Sequence, residues 1–577
     1  MARDRRKKPK HLFFEGRHWF VLVCLVMGTM ALAVRGLYVQ VIDNDLLQAE
    51  GLERQVRVLK MVPARGKILD RRGHVLAVST PVDAIWAHPA SLRQARADWP
   101  RLADTLGMET ADIDRILERN INKGFVYIKR SLSPALATHV VGLGVRGVAR
   151  QREYHRYYPA GRIAGHVLGF TDVDDKGQEG AELTFENHLG GVAGQKRVRR
   201  DRRGQTVENL DQLSPVHHGR ELRLSIDVRI QAAAHQALAR TLVEHEAVGG
   251  TAMVLDSRTG EILAMVNLPE FNPNDRSTFN THVMRNRAVT DIFEPGSTVK
   301  PFTLSLALQS GIFTPDTQIP TSPGVLVLNR HRIRDIHDYG VLSLTNVLVK
   351  SSNIGTAKIA LELNPSQLVA TLQSVGFGRL TGVELPGERS GVLQSKERWR
   401  LSEHATLSYG YGLSVTALQL ARAYMVLANG GVLKPITIRQ REELPRGERV
   451  LPSDVVGQIN QMLEHVVVKG TGKSARLPSY RVAGKTGTVR KINPEGGYLE
   501  GHWRALFAGF APANDPQFVA VVMIDDPRGE FYYGGEVAAP VFRDIMATAL
   551  RLYSIPGDIE PEGREVVVTP QSKQSGA

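Results

Sequence analysis

Phe293-Glu-Pro-Gly-Ser-Thr-Val-Lys300 is the stretch whose reading decides the fold of this chain. Two shorter patterns follow it in order, Ser351-Ser-Asn353 and Lys485-Thr-Gly-Thr488. An S-x-x-K pattern alone carries little weight, since about one or two matches are expected by chance in a chain this long. Three patterns in this order, 54 and then 134 residues apart, point to acyl transfer by a serine nucleophile. Together they hold a nucleophile, a base, a proton relay and an anion clamp.

The first pattern reads as a turn feeding a helix. Glu294-Pro-Gly precedes Ser297, and Pro301 fits only a first helical turn, where its missing N–H has no intrahelical partner. Phe302, Leu304, Leu306 and Leu308 follow, and Gly311 ends the run. Ser297 is therefore expected at a helix N-terminus, where free N–H groups and the dipole favour developing negative charge. Lys300 lies one turn on, on the same face. A serine hydroxyl needs an adjacent base. A lysine amine ordinarily titrates at about 10.4, so it serves only if burial and a second cation, here Lys485, push it down. Ser351 and Asn353 stand ahead of an apolar helical stretch, Ile354 to Leu363, and offer a hydroxyl and an amide to relay a proton and hold a carbonyl. Lys485 to Thr488 open a strand after Arg481-Val-Ala-Gly484. An edge strand there presents backbone groups to an extended peptide, Gly487 leaves room for close approach, and the lysine attracts a carboxylate. Taken singly, each pattern also reads as a helix cap, a turn or a strand end.

On these three patterns the chain resembles the class B penicillin-binding proteins, the D,D-transpeptidases that cross-link bacterial peptidoglycan. Arg65-Gly-Lys-Ile-Leu-Asp-Arg-Arg-Gly73, Gly180-Ala-Glu-Leu183 with Phe185-Glu186, and Arg200-Asp-Arg-Arg-Gly204 are similar to the N-terminal signatures of that family. Ser408-Tyr-Gly-Tyr-Gly412 and Gly470-Thr-Gly472 fall where the family has comparable segments. The resemblance covers most of the chain and is strongest to the division-specific (FtsI-type) branch, with the elongation branch as the nearest alternative. It implies an α/β (α+β) penicillin-binding, serine β-lactamase-like transpeptidase domain, an elongated α+β N-terminal module of the dimerisation type and one N-terminal transmembrane helix. It also implies Ser297, Lys300, Ser351, Asn353 and Lys485 as catalytic residues, the backbone N–H groups of Ser297 and Thr488 as the oxyanion hole, and Thr486, Gly487 and Thr488 as the substrate-binding strand. Stem peptides and β-lactams are the implied ligands, with no metal or cofactor. A multi-span septal glycosyltransferase and other division proteins are the implied partners. Related carboxypeptidases and β-lactamases share the motifs and use water as acceptor; the large N-terminal module and retained anchor speak against both. A non-catalytic septal scaffold is the reading from another class, and the intact Ser297, Lys300 and Lys485 speak against it.

Composition agrees with an anchored envelope protein. Lys plus Arg number 73 against 59 Asp plus Glu, a net charge of +14. Part of the excess is at the N-terminus, where Arg3, Arg5, Arg6, Lys7, Lys8, Lys10 and Arg17 oppose only Asp4 and Glu15. An apolar run follows from Trp19 through Arg35 to Ile42. The basic flank marks the cytoplasmic side, so everything after the run is expected outside the cytoplasm; the resemblance implies the inner membrane, the periplasm and the division septum. A cleaved signal peptide ending near Ala31-Leu-Ala33 is the rival reading; the apolar segment running past Ala33 favours an anchor. Cys24, the single cysteine, lies inside this run, so no intramolecular disulfide is possible. The expected organisation is a basic tail over 1–18, a span over 19–42, a stalk over 43–60, a pedestal over 61–220, a transpeptidase domain over 221–556 and an unstructured tail over 557–577. Strands are expected at Thr251–Asp256, Glu261–Val266, Leu506–Phe510 and Phe518–Ile524, one sheet closed by distant segments.

Four other patterns carry competing readings. Gly470-Thr-Gly-Lys-Ser474 ends like a phosphate loop, but Val467 stands where the first glycine belongs. Asp172, Asp174 and Gly177 hint at a calcium loop, with Lys176 and Leu183 at ligand positions. His331, Asp335, His337 and Asp338 alternate with Arg332 and Arg334, which oppose cation binding, so a solvated turn is expected there. The basic run Lys196 to Arg203 is expected to be a solvated hairpin outside the cytoplasm rather than a nucleic-acid site, and a surface for anionic lipid or a partner is the functional alternative.

Overall fold

The protein is described by a computed structural model covering residues 15–42, 44–45, 56–200 and 206–559. Most of the expected basic tail, the stalk and the C-terminal tail, and Asp201 to Gly204 of the third N-terminal signature, lie outside the described residues.

The chain divides into two compact units. The larger comprises residues 64–81, 154–191 and 218–577 and the smaller residues 1–63, 82–153 and 192–217. The division does not follow the boundary expected at 220/221: parts of the expected pedestal group with the catalytic residues. Buried charges tie residues 64–81 and 154–191 to each other, and Arg71 pairs with Glu261 of the catalytic segment at 3.3 Å. Buried Glu182, from the second N-terminal signature, accepts hydrogen bonds from Arg65 Nε at 2.6 Å and Arg156 Nε at 2.7 Å. Arg65, from the first signature, also reaches Glu186 at 2.7 Å. All three members of the Arg65–Glu182–Arg156 cluster are nearly inaccessible to water. Segments distant in sequence are thus tied by charges that have no solvent alternative.

The larger unit is built on a five-stranded sheet. Its order is Ile262–Leu268, Gly249–Asp256, Phe518–Asp525, Tyr498–Ala511, Ala483–Ile492, and every pairing is antiparallel. The expected closure of one sheet by distant segments is what the register shows. Period-two alternation sorts the side chains. Ala252, Val254, Phe507, Ala520 and Val522 face the helices Val228–Glu244 and Gly534–Leu552, with Ile230, Leu238, Val537 and Ile545 in the same cluster. Phe507 stacks at a tilt on Phe542, ring centroids 4.7 Å apart. Met253, Leu255, Leu506, Ala508 and Val521 face the other way, into the cluster holding Phe302, Leu304, Tyr424 and Met425. There the helix Ala417–Ala428 is buried along almost its whole length, and its start is set by a capping box between Thr416 and Gln419. This sandwich leaves the strand Ala483–Ile492 at the sheet's edge.

The smaller unit contains a three-stranded antiparallel sheet, ordered Val56–Met61, Gly194–Arg200, Thr206–Ser214. Its second core gathers Leu92, Trp99, Leu102, Ile113, Leu117, Ile128 and Val140 from short helices and the strand Val126–Leu132. An α-helix, Glu15–Leu37, precedes these elements and continues as a π-helical turn, Tyr38–Ile42. From Gly16 to Ile42 the mean hydropathy reaches 2.2, long and apolar enough to cross a membrane. Arg35 lies over the Tyr38 ring, 5.6 Å from its centroid.

Replacing Glu182 by Gln leaves buried Arg156 without its carboxylate partner and Arg65 with Glu186 alone. The expected cost is about 3–5 kcal/mol, read as a lower urea midpoint of the detergent-solubilised protein by circular dichroism. An unchanged midpoint would show that the cluster does not hold these segments together.

Candidate active site

The three sequence patterns converge. Ser297 sits in a 3-10 turn, Gly296–Val299, that runs directly into the α-helix Lys300–Gln309. The α-helix therefore begins three residues later than the nucleophile, and Pro301 occupies its first turn as expected. Gly296 has φ +54°, and a Cβ there would lie 2.3 Å from Val489, so no other residue fits. Its N–H binds Gly410 O at 3.1 Å and the Thr298 N–H points to Pro295 O at 3.4 Å. The Ser297 N–H finds no backbone acceptor among the described residues.

Lys300 is fully buried and its ammonium donates to Ser351 O at 2.6 Å, Asn353 Oδ1 at 2.8 Å and Ser351 Oγ at 3.3 Å. Lys485, also fully buried, donates to the same Ser351 Oγ at 3.0 Å and to Thr486 O at 3.0 Å. The Ser351 hydroxyl thus stands between two lysines. Its backbone has φ +58°, a strained conformation for a non-glycine residue, which the packing around the site enforces. The helix Asn353–Leu361 starts at the second pattern, one residue before the expected apolar stretch.

Lys485 to Thr488 lie on the edge strand, paired on one side with Tyr498–Ala511. Gly487 is also required by packing. A Cβ at this position would lie 3.1 Å from both Pro295 O and Thr298 Cγ2, so the glycine admits the turn that carries Ser297. The Thr486 hydroxyl meets Thr471 Oγ1 at 2.7 Å, and Thr488 Oγ1 accepts the Gly534 N–H at 2.9 Å.

Two family models match, the penicillin binding protein transpeptidase domain over residues 250–547 and the penicillin-binding protein dimerisation domain over residues 60–224. The chain belongs to the penicillin-binding protein transpeptidases. It is 40% identical over 543 residues to the probable peptidoglycan D,D-transpeptidase PbpC of Pseudomonas aeruginosa, covering 94% of this chain and 96% of the relative. It is 40% identical over 569 residues to the peptidoglycan D,D-transpeptidase FtsI of Escherichia coli, with 96% of each covered. Among solved structures, the transpeptidase domain of Burkholderia pseudomallei penicillin-binding protein 3 superposes with a TM-score of 0.54 at 40% identity, covering 58% of this chain and 98% of that one.

In this penicillin-binding protein, burial lowers the Lys300 pKa to about 7, against an opposing pull from Asp335. Burial likewise drives Lys485 well below the ordinary lysine value, and repulsion from Lys300 adds to it. The fall at Lys300 therefore comes from burial, and the repulsion between the two lysines shows at Lys485 rather than, as expected, at Lys300.

Two residues of the site were not recognised from sequence. Asp335, read as part of a solvated turn, accepts from Asn353 N at 2.6 Å, Ile354 N at 3.2 Å and the Ser352 hydroxyl. It caps the helix that carries Asn353 and supplies the negative charge near Lys300. The signal available was an acidic residue close upstream of a Ser-Ser-Asn helix start; contact across 18 residues of hairpin hid it. Glu294 was read as a turn residue, yet its buried carboxylate joins Gly412 N at 2.8 Å and the Tyr498 hydroxyl at 3.0 Å. Burial raises its pKa.

A base with a pKa of about 7 makes the acylation rate by penicillin fall about tenfold per pH unit below pH 7 and level off above it. Lys300→Arg should abolish acylation, because arginine does not lose its proton at usable pH. Near-normal rates in this variant would reduce Lys300 to electrostatic support. The same lysines bind protons in the unfolded chain up to about pH 10.4, so stability rises as pH increases from about 7.

Proposed function

We propose that this chain is a peptidoglycan D,D-transpeptidase of the division septum, with Ser297 as its nucleophile. The observation that carries this reading is the buried Lys300, one helical turn from Ser297 and linked through Ser351 to Lys485. Ser297 Oγ attacks the carbonyl carbon of the penultimate D-alanine while its proton passes to neutral Lys300. Negative charge on the carbonyl oxygen is met by the N–H groups of Ser297 and Thr488; losing one such donor typically costs about 10²–10³ in rate. The C–N bond then breaks, and the terminal D-alanine leaves as an amine with a proton delivered through the Ser351 hydroxyl. An amino group of a second stem peptide attacks the ester, and its proton returns along the same path. Asn353 keeps one side-chain N–H beyond its bonds to Lys300 and Arg334 O, which suits a substrate carbonyl. Among the described residues the Lys485 amine hydrogen-bonds only to Ser351 and Thr486, so the hydroxyls of Thr486 and Thr488 receive the substrate's terminal carboxylate, with Lys485 behind them. β-Lactams present a comparable carbonyl and carboxylate and acylate the same serine.

The relatives named for division support the septal role. The apolar helix suits a single-pass anchor in the inner membrane, and the basic flank before it supports a periplasmic catalytic unit. Arg35 within the span is costly against lipid and suits a protein neighbour, here a multi-span glycosyltransferase and other division proteins.

Ser297→Ala should lose all covalent labelling by a fluorescent penicillin while keeping its circular dichroism spectrum. Mass spectrometry of the wild type should find the adduct on the Ser297 peptide. An adduct on Ser351 would sink the assignment.

Exchange of residues 19–42 for an unrelated span of equal length should leave penicillin labelling intact and impair septal wall synthesis in cells. Full complementation at normal expression would reduce the segment to a plain tether.

A further inference from the structure

The Gly470-Thr-Gly472 motif has no part in the chemistry described so far, yet its threonine touches the site. Thr471 Oγ1 lies 2.7 Å from Thr486 Oγ1. The same Thr486 oxygen receives Lys485 Nζ at 3.3 Å. A hydroxyl has one hydrogen to donate and two lone pairs. If Thr471 donates, both lone pairs of Thr486 are occupied and its one hydrogen is left for a ligand. Thr488 stands in the same condition, since Gly534 N–H donates to its oxygen at 2.9 Å.

The motif is held firmly enough to impose this order. The Gly470 and Gly472 N–H groups both bind Val466 O at 3.0 Å, at the end of the helix Ser453–Lys469. A Cβ on Gly470 would lie 2.5 Å from Val349 O. One on Gly535 would lie 2.3 Å from Thr471 O. Neighbours on both sides therefore fix the Thr471 backbone against the edge strand.

We propose that Thr471 is a positioning residue that donates its hydroxyl hydrogen to Thr486 and so commits Thr486 as a donor to the substrate's terminal carboxylate. The inference rests on the reading that Thr486 and Thr488 receive that carboxylate. An anion accepts only, so a Thr486 whose hydrogen is turned toward Thr471 must reorient before the ligand binds. With Thr471 as the donor no reorientation is needed, and donation into Thr486 strengthens its own outgoing bond.

The test uses the detergent-solubilised full chain and two probes, a fluorescent penicillin and its carboxyl methyl ester. Thr471→Val should lower the second-order acylation rate by the acid about fivefold, the scale of one hydrogen bond, and leave the rate for the ester unchanged. Thr471→Ser, which keeps the hydroxyl, should restore the acid rate. Equal slowing of both probes by Thr471→Val, or no rescue by serine, would overturn the proposal and mark a packing role. So would an unchanged acid rate. Thr486→Val separates the two readings. If it lowers the preference for the acid while Thr471→Val does not, the Thr471 inference alone fails; if it leaves that preference intact, the carboxylate cradle itself is wrong.

Discussion

Two lysine amines are buried side by side with one serine hydroxyl between them, and the rest of the catalytic unit is organised to make that possible. An isolated buried ammonium costs several kcal/mol, so each is surrounded by acceptors. Lys300 has a backbone carbonyl, an amide oxygen and the shared hydroxyl; Lys485 has a carbonyl and two hydroxyls. None of these immediate partners carries a negative charge. A carboxylate in direct contact would neutralise the field and hold the lysines protonated, which would remove the base. Asp335 acts at one remove, fastened to the helix start and pulling the Lys300 pKa upward without pairing with it. The balance leaves Lys300 at about 7, where it can both take and return a proton.

Rigidity follows from the same need. Ser351 is held in a left-handed conformation, Gly296 is squeezed against Val489, and Gly487 lets the nucleophile's turn press on the edge strand. The two close approaches join the turn that carries Ser297 to the edge strand. The sheet behind them packs on both faces, so the edge strand has a single hydrogen-bonded neighbour and one open side. An extended peptide can add to that side by backbone hydrogen bonds, which suits a substrate that is itself a short peptide.

The N-terminal signatures serve a different purpose. Arg65, Arg156 and Glu182 form a buried charge cluster within the larger unit, so two segments separated in sequence by residues of the smaller unit are fastened to each other. Such a cluster stabilises less than an apolar core of equal size. It is specific, however: a misplaced segment would strand a charge.

Sequence alone determined the chemistry and much of the fold. The three patterns are short and local, and their residue types are the ones the reaction needs. The strands at both ends of the catalytic region were legible because continuous apolar runs suit a sheet buried on both faces, and the anchor because twenty-odd apolar residues have few other uses. Tertiary structure decided what depends on distant partners. That burial lowers Lys300 while Asp335 opposes it, that Gly487 serves packing, that Asp335 caps a helix, and that residues 64–81 and 154–191 group with the catalytic unit all arise from contacts between segments far apart in sequence. Local patterns report the propensity of a segment and the type of its side chains. They carry no record of which remote atom will fill the space beside them, and desolvation, the largest force on both lysines, exists only once that space is filled.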